Sequence, residues 1–387
     1  MENKILHICS GIRPGGGPSG YLYNLHMASK LDDNYFVVDD SNESSNRDNT
    51  AYRKIKWIPK FLLKNMLCCK YIFSLLGLMK IDNEVKISNF KYVLCHSAPV
   101  AARALRLCDK DHEVKIGFMP HGPVSYTIET LDDVEAKYGS VFFRNLYSFV
   151  MSYLENKIFL KASFIVTAAK EGLESYNNIT VDFNDKVFEV TTGLPMLKCK
   201  NSKQEIRKKL GVSDDKFVVG FFGRYNSHKG YDYFYDEAMS SSNEHVLYIS
   251  AGAGPITKPD GYNYKNYGWR SDIEELISAC DIVAIPNRHT YFDLLPLECF
   301  SLSRPVAVSY NGGNKKLCKL SSAALPFELK SGKLNSLVDN IYNNSSSFAK
   351  LGDEAKVSFK NQFSDKMFVN GHNSLFLSLD KFFDKNK

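Results

Sequence analysis

Apolar residues in this chain fall into short continuous runs rather than alternating patterns. In the first half, runs such as KILHIC, YVLC and VKIGF are separated by stretches with helical periodicity, for example GYLYNLHMASKL and VAARALRLCDK. Continuous apolar runs between helices are typical of parallel strands that are buried on both faces. The alternation predicts an α/β protein in which helices cross over between parallel strands.

The same rhythm begins a second time after a polar, turn-rich break at residues 190–202. FVVGFFGR, HVLYISAGAG, DIVAIPN and PVAVSYNGG form the second set of apolar runs. A chain of 387 residues is also long for one core, since domains of roughly 150 residues are common. We therefore predict two Rossmann-like domains, residues 1–192 and 193–365, with a C-terminal helix at about 366–387 that packs back on the first domain.

Composition and charge narrow the class of protein. Apolar residues make up 44% and charged residues 24% of the chain, as in globular proteins with real cores. The net charge of +6 is modest and lysines are interleaved with acids, so we predict no nucleic-acid partner. Nine cysteines without CxxC spacing, several of them in apolar runs, favour a reducing compartment. The first residues, MENKILHICSG, enter a strand at once and predict no secretory signal.

The segment Trp57–Lys80 is the longest strongly apolar stretch. It falls short of the ~18 uninterrupted apolar residues that a membrane-spanning helix needs, because Lys60, Lys64 and Lys70 interrupt it. Its aromatic and basic residues suit a helix that lies in a membrane interface. They suit a domain helix that covers a sheet at least as well, so both interpretations stay open.

A glycine-rich loop, GIRPGGGPSG, follows the first strand and precedes a helix. Glycines 15–17 and Gly20 would let the backbone approach an anionic ligand at the start of that helix. The spacing differs from the GxGxxG dinucleotide fingerprint, and Asp39 or Asp40 would be a weak ribose ligand. A purely structural loop explains the glycines equally well.

The segment FFGRYNSHKG ends a strand at Gly223 and places Arg224 and Lys229 five residues apart. A guanidinium and a flexible ammonium at the carboxyl edge of a parallel sheet suit a diphosphate. A solvated loop with incidental charges would give the same pattern.

Two further polar residues stand in apolar surroundings. His121 ends the run VKIGFMPHG, where a lone histidine is more often structural than catalytic, and His96 has the same interpretation. Glu298 lies in the first turn of a helix predicted to start near Leu297, where a carboxylate is favoured by the helix dipole and can accept hydroxyl hydrogen bonds. An ordinary N-terminal helix acid explains Glu298 about as well.

The order of these pieces resembles the retaining glycosyltransferases of family four, which have the GT-B fold. FFGR…KG, YGWRSDIEELISACDIVAIP, a glutamate-containing turn and RPVAVSYNGG follow one another over residues 217–315. GGGPSGYLYNL, MPHG, ASFIVTAAKE and VTTGLP give looser support in the first half. The resemblance implies two Rossmann-like domains that face a deep interdomain cleft, with a nucleotide-sugar bound mostly against the C-terminal half.

The resemblance also implies a role for each candidate residue. Arg224 and Lys229 would neutralise the departing diphosphate, His121 would lie near the reacting sugar, and Glu298 would bind the ribose. The other donor-binding residues that it implies are Gly16 and Gly17 over the phosphates, Gly193 in VTTGLP, Trp269 and Arg270 beside the base, and Asp293, Leu294 and Leu295 before Glu298. It implies no cofactor and no metal, and the sequence shows no cluster of His, Cys and Asp with metal-ligand spacing.

The turn before Glu298 departs from the family pattern, which has a second glutamate upstream, separated by seven residues. Counting back from Glu298, that place falls on Thr290, or on His289 if one residue is inserted, and neither is a carboxylate. Asp293 stands where the family has a glycine. We therefore expect an altered sugar end, with His289, Thr290 and Asp293 as candidates, and we hypothesise that Asp293 takes over hydroxyl binding.

The loss of that acid is physically tolerable. A retaining transferase of this kind works without the carboxylate nucleophile of a hydrolase. Its barrier is lowered mainly by positioning and by stabilisation of the departing phosphate.

The sequence thus predicts a retaining, metal-independent glycosyltransferase of bacterial surface polysaccharide synthesis, such as that of O-antigen or capsule. The expected donor is a nucleotide-sugar, most commonly a UDP-linked hexose or N-acetylhexosamine, and the expected acceptor is a saccharide or lipid-linked saccharide. Basic residues in the first half suit a cytoplasmic enzyme, peripheral on the inner face of the membrane. Two other classes stay open: a non-catalytic GT-B partner of a glycan or an active paralogue, and a nucleotide-sugar epimerase.

Overall fold

The computed structural model describes residues 2–9, 11–29, 34–38, 59–78, 87–108 and 113–385. Asp39 and Asp40 lie outside these residues, and so do the two residues at each end of the segment Trp57–Lys80. The chain divides into two compact units: Met1–Thr191 with Phe368–Lys387, and Thr192–Met367.

The first unit is built on a six-stranded parallel sheet in the order β2-β1-β3-β4-β5-β6. Its strands are β1 (Glu2–Ile8), β2 (Phe36–Val38), β3 (Phe90–Cys95), β4 (Lys115–Phe118), β5 (Phe164–Thr167) and β6 (Val187–Glu189). Its helices are α1 (Gly17–Ser29), α2 (Lys60–Leu75), α3 (Ala98–Leu107), α4 (Tyr126–Tyr138) and α5 (Arg144–Lys161), joined by most of the C-terminal helix α13 (Asp365–Lys385).

Three neighbouring strands of this sheet end at one level. Ile8 of β1 pairs with Cys95 of β3, and Cys95 pairs in turn with Phe118 of β4. Residues that come just before or after these strand ends are therefore brought together, although they are far apart in the sequence.

The second unit has its own six-stranded parallel sheet, in the order β12-β11-β10-β7-β8-β9. Its strands are β7 (Phe217–Phe222), β8 (Val246–Ala251), β9 (Tyr264–Asn266), β10 (Ile282–Ile285), β11 (Val306–Ser309) and β12 (Ala324–Phe327). Its helices are α6 (Lys203–Leu210), α7 (Tyr231–Ser240), α8 (Ile273–Ala279), α9 (Leu295–Ser301), α10 (Gly313–Leu320), α11 (Lys333–Asn343) and α12 (Ser345–Ser358).

The chain order in this second sheet reverses between β7 and β10. Strands β8 and β9 follow β7 on one side, whereas β11 and β12 follow β10 on the other. In open α/β sheets, ligands bind outside the carboxyl ends of the strands at such a reversal. The loops after β7 and β10 are therefore the places in this unit where a ligand is expected.

The continuous apolar runs of the sequence become strands that are covered on both faces. All four residues of β10 and of β11 are buried, and β7 is buried from Val218 to Phe222. This burial explains why the runs show no alternation of apolar and polar residues. The predicted α/β arrangement with parallel sheets is confirmed.

Helix boundaries follow local sequence signals. In α6, the Ser202 hydroxyl accepts a hydrogen bond from the backbone N–H of Glu205, and the Glu205 carboxylate accepts one from the N–H of Ser202. Such a capping box satisfies two backbone donors that a helix start leaves unpaired. Gly211 ends the helix with a left-handed φ of 65°, a conformation that favours glycine. Over the described residues, no helix is long and apolar enough to cross a membrane.

Candidate functional site

The loop that follows β7 is held against the end of β10. Gly230, the last loop residue before α7, has φ of 69°, and a Cβ atom there would lie 1.9 Å from the carbonyl oxygen of Pro286. Only glycine permits both the left-handed conformation and this close approach. The backbone N–H of Arg288 also donates to the carbonyl of His228 at 2.9 Å. These contacts bring Lys229 next to the segment that follows β10.

Lys229 forms an ion pair with Asp293. Its Nζ atom lies 2.7 Å from Oδ2 of Asp293, and the side-chain amide of Asn287 donates to the same oxygen. Both contacts use Oδ2, so Oδ1 is left to accept a hydrogen bond from a ligand. Lys229, a candidate for the phosphate end of the site, is thus in direct contact with Asp293, a candidate for the sugar end.

A cavity of about 400 Å³ opens at the carboxyl ends of β7 and β8. Its lining combines both strand ends with the segment before α8 and the start of α9. The lining residues are Phe222, Gly223, Arg224, Ala251, Gly252, Ala253, Trp269, Arg270, Ile273, Leu295 and Glu298. Five of the donor-binding residues named from the sequence therefore surround one cavity at the expected edge of the sheet.

The cationic and aromatic groups of the cavity differ in how they are held. Arg224 is exposed, and its guanidinium has no hydrogen-bond or ion-pair partner among the described residues. Arg270 is engaged by Asp272, with Nε 2.7 Å from Oδ1. Trp269 leaves 73% of its surface exposed, so its indole face is open for stacking on a planar ligand. The cavity therefore offers one unpaired guanidinium and one open aromatic face.

Glu298 is the carboxylate of this cavity. Its backbone N–H donates to the carbonyl of Leu294 at 3.0 Å, which fixes it in the first turn of α9. Burial first, and then the neighbouring carboxylates of Asp293 and Glu274, raise the pKa of the Glu298 carboxyl. Among the described residues, the Glu298 side chain accepts no hydrogen bond. A shielded carboxylate without a protein donor suits the hydroxyl groups of a ligand, because these donate to it.

The other two sugar-end candidates differ in exposure. Thr290 is buried, its Oγ1 lies 3.4 Å from the amide nitrogen of Asn314, and its carbonyl accepts from Gly313. This packing argues against Thr290 as a sugar ligand. His289 lies at the surface, and burial, His228 and Arg288, in that order, lower the pKa of its imidazole.

The remaining donor-binding candidates are one leucine and three glycines. Leu294 precedes α9, and its carbonyl accepts the first hydrogen bonds of that helix. Gly193 is buried near the start of the second unit. In the first unit, Gly16 is exposed before α1, and Gly17 opens that helix with φ of 69°.

His121 belongs to a buried chain of three imidazoles in the first unit. Its Nε2 lies 2.8 Å from Nδ1 of His96, and Nε2 of His96 lies 2.9 Å from Nδ1 of His7. The three residues stand at the ends of β4, β3 and β1, which are adjacent in the sheet. Burial lowers the pKa of both His7 and His121 to about 3 and that of His96 well below its usual value. The chain is therefore neutral at pH 7.

The end of this chain decides which nitrogen of His121 carries the proton. Among the described residues, Nε2 of His7 has no hydrogen-bond partner, and it is buried. A proton placed there would be an unpaired buried donor, which is costly. The less costly arrangement has His7 donate through Nδ1 to His96, and His96 donate through Nδ1 to His121. His121 then carries its own proton on Nδ1 and acts as a neutral donor through that atom.

A second pair extends this cluster towards α13. The hydroxyl of Tyr21 lies 2.9 Å from Nε2 of His372, and the Tyr21 ring contacts the His121 ring with a centroid separation of 4.9 Å. Sequence reasoning missed His7, Tyr21 and His372, because their meeting depends on strand order and on the return of α13. A histidine at each of three strand ends was the available signal.

Among the described residues, no group of three or more His, Cys, Asp or Glu side chains is arranged to hold a metal ion. The charged groups at the cavity and beside it include Arg224, Arg270, Glu298, Lys229 and Asp293.

The two parallel six-stranded sheets define a GT-B fold, which confirms the predicted fold class. The structure is similar to that of Anabaena Alr3699/HepE in complex with UDP-glucose, with a TM-score of 0.63 and 16% identity, covering 97% of this chain and 99% of that chain. At this identity the likeness concerns the fold alone.

Residues 216–341 match the family model described as "Glycosyl transferases group 1". The matched segment contains every residue that lines the cavity. Alpha-D-kanosaminyltransferase of Streptomyces kanamyceticus is 27% identical over 127 residues, 29% of this chain and 33% of that protein. UDP-Gal:alpha-D-GlcNAc-diphosphoundecaprenol alpha-1,3-galactosyltransferase of Escherichia coli is 24% identical over 187 residues, 44% of this chain and 46% of that protein. The chain thus aligns with less than half the length of either relative.

Proposed function

We propose that this chain is a glycosyltransferase that moves a sugar from a nucleotide-sugar to a saccharide or lipid-linked saccharide. The observation that carries the proposal is the cavity where the strand order reverses, lined by Trp269, Arg224 and Glu298. An open indole suits a base, a carboxylate without a protein donor suits ribose hydroxyls, and an unpaired guanidinium suits a phosphate. The three groups together match the three parts of a nucleoside diphosphate.

The leaving diphosphate explains the two cations beside β7. When the bond between the sugar anomeric carbon and the phosphate oxygen breaks, negative charge grows on the diphosphate, and Arg224 and Lys229 stabilise it. Protein cations supply this charge in the proposed mechanism, which uses no metal. The acceptor oxygen then bonds to the anomeric carbon on the face that the diphosphate leaves. Its proton passes to the departing phosphate oxygen, and the configuration is retained.

The sugar end is assigned to Asp293 and His121. The Oδ1 atom of Asp293 would accept from a sugar hydroxyl, while Lys229 and Asn287 hold Oδ2 in place. His121, whose imidazole is neutral at pH 7, keeps the role near the reacting sugar that the family resemblance implies. His289 is kept as a third candidate because it lies at the surface of the same turn.

UDP-linked hexose or N-acetylhexosamine is the proposed donor class, in the synthesis of a bacterial surface polysaccharide such as O-antigen or capsule. Two comparisons support this choice. The fold neighbour was crystallised with UDP-glucose, and the Escherichia coli relative is named for UDP-Gal and for a diphosphoundecaprenol-linked GlcNAc. A lipid-linked acceptor implies work at the cytoplasmic face of the membrane.

A thermal-shift panel of UDP-, GDP- and ADP-sugars tests the donor site, because a ligand that binds only the folded state raises the melting temperature. We expect UDP-sugars to raise it in the native chain and much less in Arg224→Met. The exposed Lys333→Met serves as the matched control. If no nucleotide-sugar shifts the native chain, the proposed donor site is wrong.

Product analysis then separates the three classes of function. A glycosyltransferase releases UDP and lengthens an added acceptor, and slow UDP release by hydrolysis is expected without one. An epimerase would give a new nucleotide-sugar of unchanged mass without any acceptor. A non-catalytic partner would bind the nucleotide-sugar or a glycan and leave it unchanged.

A further inference from the structure

Helix α5 presents apolar side chains to solvent along its whole length. Phe142, just before the helix, is 78% exposed and Phe149 is 73% exposed. The exposed residues follow one another at intervals of three, four or seven positions, so they lie on one side of the helix. They are Phe142, Leu146, Phe149, Tyr153 and Leu160. The opposite side is buried in the core through Met151 and Ile158. Packing of the core alone does not require this second apolar side.

Helix α2 has the same double character. Leu63, Leu67 and Leu75 are buried in the core. A second series with the same spacing faces solvent, consisting of Leu62, Met66, Cys69, Phe73 and Leu76. Large exposed apolar surfaces on a folded protein mark interaction sites.

The two exposed series lie on packed, neighbouring helices. The hydroxyl of Tyr147 in α5 donates to Oδ1 of Asn65 in α2 at 2.8 Å, and Nζ of Lys64 donates to the carbonyl of Ser140. Burial, and then the nearby Cys69 and Cys68 thiols, raise the pKa of the Tyr147 hydroxyl. Cys69, which belongs to the exposed series of α2, therefore lies beside Tyr147. Tyr147 follows Leu146, which belongs to the exposed series of α5. We call this combined surface the docking face.

Lysines are the main charged residues of the two helices. Arg144, at the start of α5, is instead paired with Asp132 and Glu135 of α4. Helix α2 carries Lys60, Lys64 and Lys70 and no acidic residue over Lys60–Leu75, all of which is described. Helix α5 carries lysines at 157 and 161, and its one acidic residue, Glu155, is buried and accepts from Thr127. The ammonium of Lys157 lies 4.5 Å from the centre of the Tyr153 ring. The docking face is thus apolar with a basic border.

The geometry points to the surface of an anionic phospholipid bilayer as the partner of this face. Exposed aromatic and aliphatic side chains can enter the headgroup region, while the lysines contact lipid phosphates. A second copy of the chain fits poorly, because a two-fold interface would set the same lysines against one another. The inference deepens the proposed function by naming the partner surface, since a lipid-linked acceptor lies at such a membrane, but its test needs no sugar transfer.

The test is co-sedimentation with vesicles of phosphatidylcholine, with and without phosphatidylglycerol. We expect the full chain to bind the anionic vesicles at least tenfold more strongly than the neutral ones. The variant Leu146→Ser/Phe149→Ser should lose at least tenfold of this binding. The matched control is Val357→Ser/Leu377→Ser, which removes two exposed apolar side chains from other helices and should bind as the native chain does.

A second variant addresses charge. Lys157→Glu/Lys161→Glu is expected to weaken binding to anionic vesicles more than tenfold, since each lysine near such a surface contributes about fivefold. The charge reversal Lys333→Glu on the other unit should have little effect. Circular dichroism and melting temperature are followed in each variant, so that unfolding is distinguished from loss of a contact.

Three outcomes would overturn the inference. The native chain could fail to bind either vesicle, or the docking-face variants could bind as the native chain does. Alternatively, sedimentation velocity could show a dimer that Leu146→Ser/Phe149→Ser converts to a monomer, in which case a second copy covers the face. UDP binding measured in parallel keeps a failure here distinct from a failure of the proposed donor site.

Discussion

The ammonium of Lys229 and the carboxylate of Asp293 are 2.7 Å apart, although 64 positions separate them in the sequence. They meet because β7 and β10 are neighbours and the loops that follow these strands leave the same edge of the sheet. Before a donor binds, Asp293 therefore neutralises one of the two cations proposed for the diphosphate. If the proposed roles of the two residues hold, nucleotide binding and sugar binding are linked through this pair.

The pair predicts opposite effects of Asp293→Ala on two ligands. Loss of Oδ1 removes a hydroxyl contact to a charged group, so kcat/KM for the donor should fall about 10- to 100-fold. The Kd of UDP alone should stay the same or decrease, because Lys229 is released. Isothermal titration and steady-state kinetics measure the two quantities, with the exposed Asp353→Ala as control. Equal weakening of both ligands would place Asp293 at the nucleotide end instead.

Removal of Lys229 should cost more UDP affinity than removal of Arg224. In Lys229→Met, the carboxylate of Asp293 loses its ion-pair partner and repels the diphosphate, whereas Arg224 has no such partner among the described residues. Asp293→Ala should therefore tighten UDP binding more in the Lys229→Met background than in the native chain, and a double-mutant cycle measures this difference. A simple sum of the two single effects would mean that the pair does not influence the nucleotide.

Glu298→Gln should weaken UDP binding and stabilise the fold at neutral pH. Ribose hydroxyls lose a charged acceptor, which corresponds to about 10- to 100-fold in Kd. Because the pKa of Glu298 is raised in the folded chain, its ionisation disfavours folding. The contribution of Glu298 to stability is therefore largest below the unfolded pKa of 4.5 and is lost as the pH rises through the folded pKa. The gain in melting temperature should therefore be seen at pH 7 and become smaller as the pH is lowered towards the range in which the chain unfolds.

Two measurements check the Glu298 prediction against a merely structural role. Glu354→Gln, at an exposed position of α12, is the control and should change neither UDP affinity nor melting temperature. If Glu298→Gln stabilises the chain without any change in UDP affinity, Glu298 is only a buried acid and binds no ribose.

The buried histidines predict that the first unit is sensitive to acid. His7, His96, His121 and His372 all have a lowered pKa because of burial. The contribution of these histidines to stability is complete above the unfolded pKa of 6.5 and is lost as the pH falls through their lowered folded pKa values. When four protons are taken up on unfolding, the free energy of unfolding falls by about 5 kcal/mol per pH unit of acidification. We therefore expect acid unfolding at about pH 5.

Thermal melts between neutral and acid pH measure that slope. His7→Met removes one titrating group, and the slope should decrease by about 1.4 kcal/mol per pH unit. His245→Gln changes an exposed imidazole of the other unit and should leave the slope as it is. Equal slopes for the native chain and His7→Met would contradict the prediction.

Nitrogen NMR of labelled histidine tests the direction of the imidazole chain. We expect His121 as the neutral tautomer protonated at Nδ1, because His7 cannot place a proton on its unpartnered buried Nε2 without cost. The opposite tautomer would show that His121 presents an acceptor through Nδ1. In His96→Phe the preference should be lost, since that chain no longer connects His121 with His7.

The local pattern of apolar and polar residues was sufficient to predict the class of fold. Apolar runs without alternation report burial on both faces, so parallel sheets could be inferred before any strand was paired. Glycines that need positive φ or close approach, such as Gly230, marked loops at strand ends. Arg224, Lys229 and Glu298 were named because their chemistry stood out against apolar surroundings, and their proposed roles stay predictions.

Tertiary structure decided which of those residues meet. The ion pair of Lys229 with Asp293, the chain from His121 to His7, and the joint surface of α2 and α5 all connect segments that are distant in sequence. Hydrophobic periodicity reports whether a residue is buried, but it carries no information on strand order or on which helices pack side by side. The sequence by itself therefore determined the elements and the candidate chemistry, whereas contacts between elements, and with them the partners of each charged group, were settled only by the folded chain.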